Sequence, residues 1–283
     1  MSLVLRYFIS AIGPFLFVAG INAKLRAEII NAPDIAAILN RGEIRVAMTE
    51  ELWPPFFYLN KNKELAGLDI DLAKELASKL GVKIKFVREA KTFDEIVTMV
   101  VDRRADIAVS YLSDTLDRAK LVRFTPPYVQ LKPAVLVNRQ LASVSRRGPN
   151  LVKLLNHPNA KIGVTKGSSA EDFVTANYPL AKKIPYDMWE DITKDISKEK
   201  LLAGVSDEID ARNWQTLHPE GAIEIESFIL KGPPDTLAIA VNLKDVQLHF
   251  WLNQFIALKR ADGTLNELHK KYIVNDLWKK DLL

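Results

Sequence analysis

Gly67-Leu68-Asp69-Ile70-Asp71-Leu72-Ala73 is the stretch whose reading decides the fold. Ile70, Leu72, Ala73, Leu76, Ala77 and Leu80 form one apolar stripe, the pattern of a helix packed by a single face. Gly81 is placed to stop that helix, and Asp69 to cap its start. Upstream, residues 43–48 (EIRVAM) alternate as a strand does. Downstream, residues 82–87 read as a second strand. Thr92 and Glu95 then have capping-box spacing, ahead of apolar Ile96, Val97, Met99, Val100 and Val101. Residues 105–111 read as a third strand. This β-α-β-α-β alternation predicts a mostly parallel sheet covered by helices.

The pattern continues outward. Residues 24–40 suggest a short leading helix. Trp53-Pro54-Pro55-Phe56-Phe57-Tyr58 holds two prolines, which exclude a regular helix and set the aromatics on a stiff loop. Residues 134–138 and 161–165 (KIGVT) are strand-like. Ser168 with Glu171 repeats the capping-box spacing, so a helix is expected from there. A helix end is expected over 198–204, then a strand near 206–211. Pro233-Pro234 breaks the chain before a strand at 237–241 (LAIAV). Terminal helices are expected over 250–259 and 265–272, around the turn Ala261-Asp262-Gly263-Thr264.

The 283 residues are 48% hydrophobic and 26% charged, enough apolar material for one or two cores. The net charge of +4 is spread along the chain and interleaved with acids, so no nucleic-acid surface is indicated. There is no cysteine, which excludes disulfides, a thiol nucleophile and a Cys-based metal site. Arg6 is the sole charge before Lys24, and residues 7–19 are almost wholly apolar. With Gly20-Ile21-Asn22-Ala23 behind them, they read as a secretory signal cleaved after Ala23, with Ala27 the second choice. The apolar run is short for a membrane span, and Gly13-Pro14 interrupts it. Cleavage of residues 1–23 lowers the net charge to +3.

Three phrases occur in order: Gly67 to Ala73, then Ala105-Asp106-Ile107-Ala108-Val109, then Asp117-Arg118-Ala119-Lys120 with Phe124-Thr125-Pro126-Pro127-Tyr128. Trp251-Leu252-Asn253-Gln254-Phe255, Asp262-Gly263-Thr264-Leu265 and Lys270-Lys271-Tyr272 follow near the end. Together they resemble family 3 of the periplasmic solute-binding proteins, the receptors of ABC importers, over about residues 41–275. The resemblance implies an α/β, two-lobe type II periplasmic binding protein fold with two hinge strands and a central ligand cleft. Lobe 1 would comprise 41–134 with 239–283, and lobe 2 135–238, with crossings at 133–138 and 237–241. It implies a soluble periplasmic monomer, without cofactor or metal. Its partners would be a small polar solute bearing a carboxylate, such as an amino acid, and an ABC transporter permease.

The same resemblance marks site residues. Arg118 matches the arginine that grips a ligand carboxylate, a role suited to a planar guanidinium. Ser110 and Ser113 match hydrogen-bonding positions at the end of the third strand, and Tyr111 between them faces either cleft or core. Trp53 matches a stacking aromatic, and Glu50, with Glu51 beside it, an acid near a ligand amine. Ser168 and Ser169 fall at a helix start that favours an anion. The family strand after Gly204 usually ends in an Asp for the ligand amine. Counting on places Arg212 there, with Asp210 two residues before. Either Asp210 takes the role, or the ligand lacks an amine and Arg212 meets an anion.

Two other functions stay open. Some relatives are cyclohexadienyl dehydratases, for which Glu50, Glu51 or Glu171 would be the proton-moving acid. No nucleophile–base pair or metal cluster accompanies them, and His157, His218, His249 and His269 are scattered. A ligand-sensing accessory protein is the third reading.

Overall fold

In the computed structural model, residues 33–145 and 151–282 are described; the expected export signal and its cleavage point lie outside them. The chain begins with helix α1 (Pro33–Arg41) and strand β1 (Glu43–Thr49), followed by α2 (Leu68–Leu80), β2 (Lys83–Ala90), α3 (Phe93–Val101) and β3 (Ile107–Ala108). Strand β1 lies between β2 and β3 and parallel to both, with Glu43 opposite Lys83 and Val46 opposite Ile107. The expected apolar stripe of α2 is buried from Ile70 to Ala77 and half-buried at Leu80, and Gly81 ends the helix at φ +72°. Gly67 sits at φ +133°, where a Cβ would lie 2.2 Å from the Phe56 carbonyl oxygen, so the helix starts hard against the Trp53–Phe57 loop. Thr92 caps α3 as expected, accepting from the Glu95 N–H at 3.2 Å.

Asp69 does not cap α2. Gly67 holds that position, and Asp69 is the second residue of the first turn and fully buried. Its carboxylate points instead at the bend after β3. The third strand is also shorter than expected: it ends at Ala108, and Tyr111 adopts φ +51°. A left-handed residue breaks the strand, turning the chain toward the second lobe.

Strand β4 (Val122–Phe124) follows, then β5 (Val129–Leu131) and β6 (Pro133–Asn138). The second lobe continues with β7 (Lys161–Thr165), α4 (Ser169–Asn177), β8 (Lys182–Tyr186), α5 (Trp189–Ser197), β9 (Ala203–Asp207), α6 (Glu208–Leu217) and β10 (Ile225–Ile229). The chain returns through β11 (Asp235–Leu237) and β12 (Ala240–Asn242), continues through α7 (Val246–Ala261) and α8 (Thr264–His269), and closes with a π-helical turn (Lys270–Val274) and a last short helix (Trp278–Leu282). The first sheet has order β2-β1-β3-β12-β4 and the second β8-β7-β9-β6-β10. In each, three parallel strands come from β-α-β units, while β12 and β6 run antiparallel to their neighbours. Between the sheets β5 and β11 form a separate antiparallel pair, Asp235 opposite Leu131. Residues 133–138, expected as a crossing, are therefore already a strand of the second sheet.

The strand expected near 206–211 stops at Asp207. There the Asp207 carboxylate accepts from the Ile209 and Asp210 N–H groups at 2.7 and 3.2 Å and starts α6. An N-cap of this strength ends a strand because it satisfies the first free donors of a helix.

Candidate functional site

A cavity of about 170 Å³ lies between the sheets, enough space for a molecule of amino-acid size. Trp53, Phe93, Tyr111 and Ser113 line it from the first lobe; Thr165, Ser168, Ser169, Ser206, Asp207 and Asp210 from the second; Pro233, Pro234 and Asp235 beside the crossings.

The first-lobe wall is aromatic. Trp53 is held by a tight loop in which its N–H donates to the Phe57 carbonyl at 2.9 Å and its own carbonyl accepts from Phe56 at 2.8 Å. The Tyr111 ring stacks on Phe56, centroids 4.3 Å apart, and touches Trp53 and Phe93 at 5.8 and 5.9 Å. Trp53 and Phe93 are themselves 5.3 Å apart. Asp69 fixes the bend that carries Tyr111: its carboxylate accepts from the Tyr111 N–H at 2.6 Å and the Tyr128 hydroxyl at 2.9 Å. Burial pushes the Asp69 carboxyl up to about 8, against the opposing hydrogen bond from Tyr128.

The second-lobe wall is acidic. The Tyr111 hydroxyl crosses the cleft, bonding Asp207 and lying 3.3 Å from Asp210 Oδ2. Ser206 Oγ donates to Asp210 at 2.5 Å. Burial raises the Asp207 carboxyl well above the usual range, and the charges of Asp210 and Asp235 raise it further. Burial lifts Asp210 to about 7, opposed by the Ser206 hydrogen bond. A third carboxylate, Asp235, stands where the lobes meet. Its Oδ2 accepts from Ser113 Oγ at 2.9 Å and Ser169 Oγ at 3.0 Å, one hydroxyl from each lobe. Burial raises its pKa too, against those two hydrogen bonds and the Arg118 charge.

Of the residues expected at the site, Trp53, Ser113, Ser168, Ser169 and Asp210 are on the cavity wall. Four are elsewhere. Ser110 is fully buried, and its hydroxyl makes no hydrogen bond to the described residues. Glu50 is exposed, and its carbonyl takes a hydrogen bond from Arg88. Arg212 bonds the Ile273 carbonyl at 2.5 Å and Asp276 at 3.1 Å, away from the cavity. Arg118 is buried behind the wall with each guanidinium nitrogen holding one acceptor: Nε with Asp94 at 3.1 Å, Nη1 with the Ser113 carbonyl at 3.0 Å and Nη2 with the Gly167 carbonyl at 2.8 Å. It thereby ties the two lobes together. Ser168 precedes α4 but donates to the Thr165 carbonyl at 2.6 Å instead of capping the helix. Glu171 accepts from the Gly167 N–H at 3.0 Å, one residue before the cap position, so the expected box does not form, and Glu171 is not on the wall.

Asp207, Asp235 and Phe93 were not expected. The signal for Asp207 was present: Asp207-Glu208-Ile209-Asp210 places acids where a helix N-terminus favours them. Asp235 has no local signal, because only the β5–β11 pairing brings it to the cleft.

Three carboxylates and four aromatic rings, Phe173 of the second lobe being the fourth, with no Lys or Arg among the described residues of the wall, make a site that attracts positive charge. The model of the bacterial extracellular solute-binding proteins, family 3, matches residues 44–275. The L-arginine-binding protein of Pseudomonas aeruginosa is 26% identical over 269 residues, 90% of this chain and 95% of that one. The cyclohexadienyl dehydratase of the same species is 31% identical over 183 residues, 65% of this chain and 66% of that one. Among solved structures, a putative binding component of an ABC transporter from Wolinella succinogenes, complexed with lysine, superposes with a TM-score of 0.74 at 26% identity, covering 85% of this chain and 99% of that one. With two lobes, a crossing pair and a cleft between them, the chain belongs to the bacterial extracellular solute-binding proteins, family 3.

Proposed function

We propose that this protein captures a small positively charged solute in the cleft and delivers it to the permease of an ABC importer. The observation that carries the reading is the cavity wall, acidic on one lobe and aromatic on the other. The solute's cation would meet Asp207 and Asp210, and its apolar part would lie on Trp53, Phe93 and Tyr111. Capture would draw the lobes together about β5 and β11, forming the surface a permease distinguishes from the open form. Relatives named for arginine binding and solved with lysine support a cationic solute. Export through a signal cleaved after Ala23 and action as a periplasmic monomer complete the reading.

Isothermal titration of the purified protein against basic amino acids, their amines, acidic amino acids and sugar acids tests it. Binding of cations alone, lost in Asp207→Asn, is expected. Binding of anions alone would overturn it.

One observation favours a second reading. Asp207 and Asp210 are a buried, electrostatically linked pair, and Asp210 sits near 7, where a carboxyl can exchange a proton. Together with the dehydratase relative this makes a lyase on the same cleft the alternative. Catalytic product formation from a cyclohexadienyl substrate, abolished in Asp210→Asn, would decide for it.

A further inference from the structure

The Ser113 and Ser169 hydroxyls converge from the two lobes on one point, 3.0 Å from each other. A hydroxyl pair of this kind suits a carboxylate. Here the carboxylate is the protein's own: Asp235 Oδ2 accepts from both. The arginine next to this point is already shared among protein acceptors. Arg118 donates to the Ser113 carbonyl, the Gly167 carbonyl and Asp94, so each guanidinium nitrogen already has a protein acceptor. Among the described residues no Lys or Arg lines the cavity itself.

A solute carboxylate entering this cleft would have to displace Asp235 from its two hydroxyls. It would also add a negative charge beside Asp207, Asp210 and Asp235, and the Arg118 charge that reaches Asp235 is already shared with Asp94. Like charges at such distances in a dry site disfavour binding strongly. An amine meets the opposite situation, since the carboxylates facing it accept and the hydroxyls beside them can accept as well.

We infer that Asp235 is a specificity-determining residue: by filling the Ser113–Ser169 hydroxyl pair from within, it excludes solutes bearing a carboxylate and selects amines that lack one. The inference rests on the proposed reading of the cleft as a cation receptor and narrows its solute to a diamine or a guanidino-amine. Because Asp235 lies on β11, one of the two segments joining the lobes, the selective group stays at the junction as the cleft closes.

The test uses matched pairs differing only in the carboxylate, agmatine against arginine and cadaverine against lysine, titrated into the native protein, Asp235→Ser and Asp235→Asn. The native protein should bind each amine at least about tenfold more tightly than its amino acid. Asp235→Ser frees both hydroxyls and removes the charge, so the preference should vanish or reverse. Asp235→Asn keeps the shape and should weaken the preference even if the serine variant folds poorly. If the native protein binds arginine or lysine more tightly than the matching amine, the inference falls while the cation-receptor reading stands. If neither member of either pair binds and anions do, both fall.

Discussion

The two walls of the cleft do different work and are built differently. The first-lobe wall is a packed aromatic surface held from behind: Asp69 anchors the Tyr111 bend, Phe56 backs the Tyr111 ring, and Gly67 lets α2 approach the Trp53 loop. The second-lobe wall is a set of buried carboxylates whose positions follow from one helix start, where Asp207 caps α6 and Asp210 lies in its first turn. One wall provides shape and contact area. The other provides charge that is costly to keep without a partner. Affinity should therefore be far more sensitive to the acidic wall, and stability to the support behind the aromatic one.

The sharpest way to break this contrast is Asp207→Ala. It removes a buried charge partner of the proposed cation and the cap of α6 together. A buried charged contact is worth about 2–5 kcal/mol, so affinity for a cationic solute should fall by roughly two orders of magnitude or more, measured by titration calorimetry. Asp69→Ala should do the reverse. It strands the Tyr111 N–H and the Tyr128 hydroxyl, costing about 2–4 kcal/mol of stability in a urea melt. Equal losses of affinity and stability in both variants would erase the distinction.

The buried carboxyls on both sides also make a prediction about pH. The carboxyls of Asp210 and Asp69 are raised in the fold, to about 7 and about 8. Both are destabilising when charged, so their contribution to stability is complete below the ordinary carboxylate range and is lost as pH rises through those values. Without solute, the melting temperature should decline between pH 5 and 8. A cation binds the charged form of Asp210, which Asp207, Tyr111 and Ser206 touch and the Glu190 charge raises further. Affinity should therefore climb as pH rises toward 7, by at most about tenfold per unit for each proton released. Titrations at several pH values check the sign; a falling affinity would remove Asp210 from the site.

The same contrast explains what was legible in the residues alone. The first lobe's β-α-β-α-β order follows from local periodicity, and the α2 stripe, the Gly81 stop and the Thr92 cap all lie where their residue types place them. Trp53 and Ser113 reach the cleft from stiff local turns. The second lobe was harder because β9 and α6 abut without a loop. The run from Ser206 to Ala211 reads as a strand unless Asp207 is recognised as a cap, and that slip made Arg212 look like the strand-end residue in place of Asp207. Asp69 misled for the opposite reason. Its spacing suits a cap, but a long-range demand from Tyr111 and Tyr128 takes its carboxylate. Asp235 depends on contacts between lobes and Phe93 on packing against Trp53 and Tyr111, neither of which a local pattern encodes.

On the aromatic wall, Trp53→Ala should cost about tenfold in affinity. It deletes one face of the contact surface while Phe93 and Tyr111 remain, and a single aromatic contact with a cation is worth about 1–2 kcal/mol. A loss as large as that of Asp207→Ala would mean that the rings, not the acids, carry recognition. Trp53→Phe should recover most of the loss, since a ring face is restored without the indole.

The smallest effect sharpens the comparison most. Arg212 and Glu50 were candidates for the ligand's charged groups, and the structure turns both away from the cavity. Arg212 joins α6 to the segment after α8 through the Ile273 carbonyl and Asp276. Its ion pair is partly exposed, and such pairs contribute at most about 1 kcal/mol. Arg212→Ala should therefore change solute affinity less than about twofold, with a small drop in melting temperature from the lost contact between lobe 2 and the C-terminal segment. Glu50→Gln should leave both nearly unchanged. If Arg212→Ala instead improved cation binding several-fold, its positive charge would be opposing the solute inside the cleft, and the acidic wall would no longer be free of basic groups.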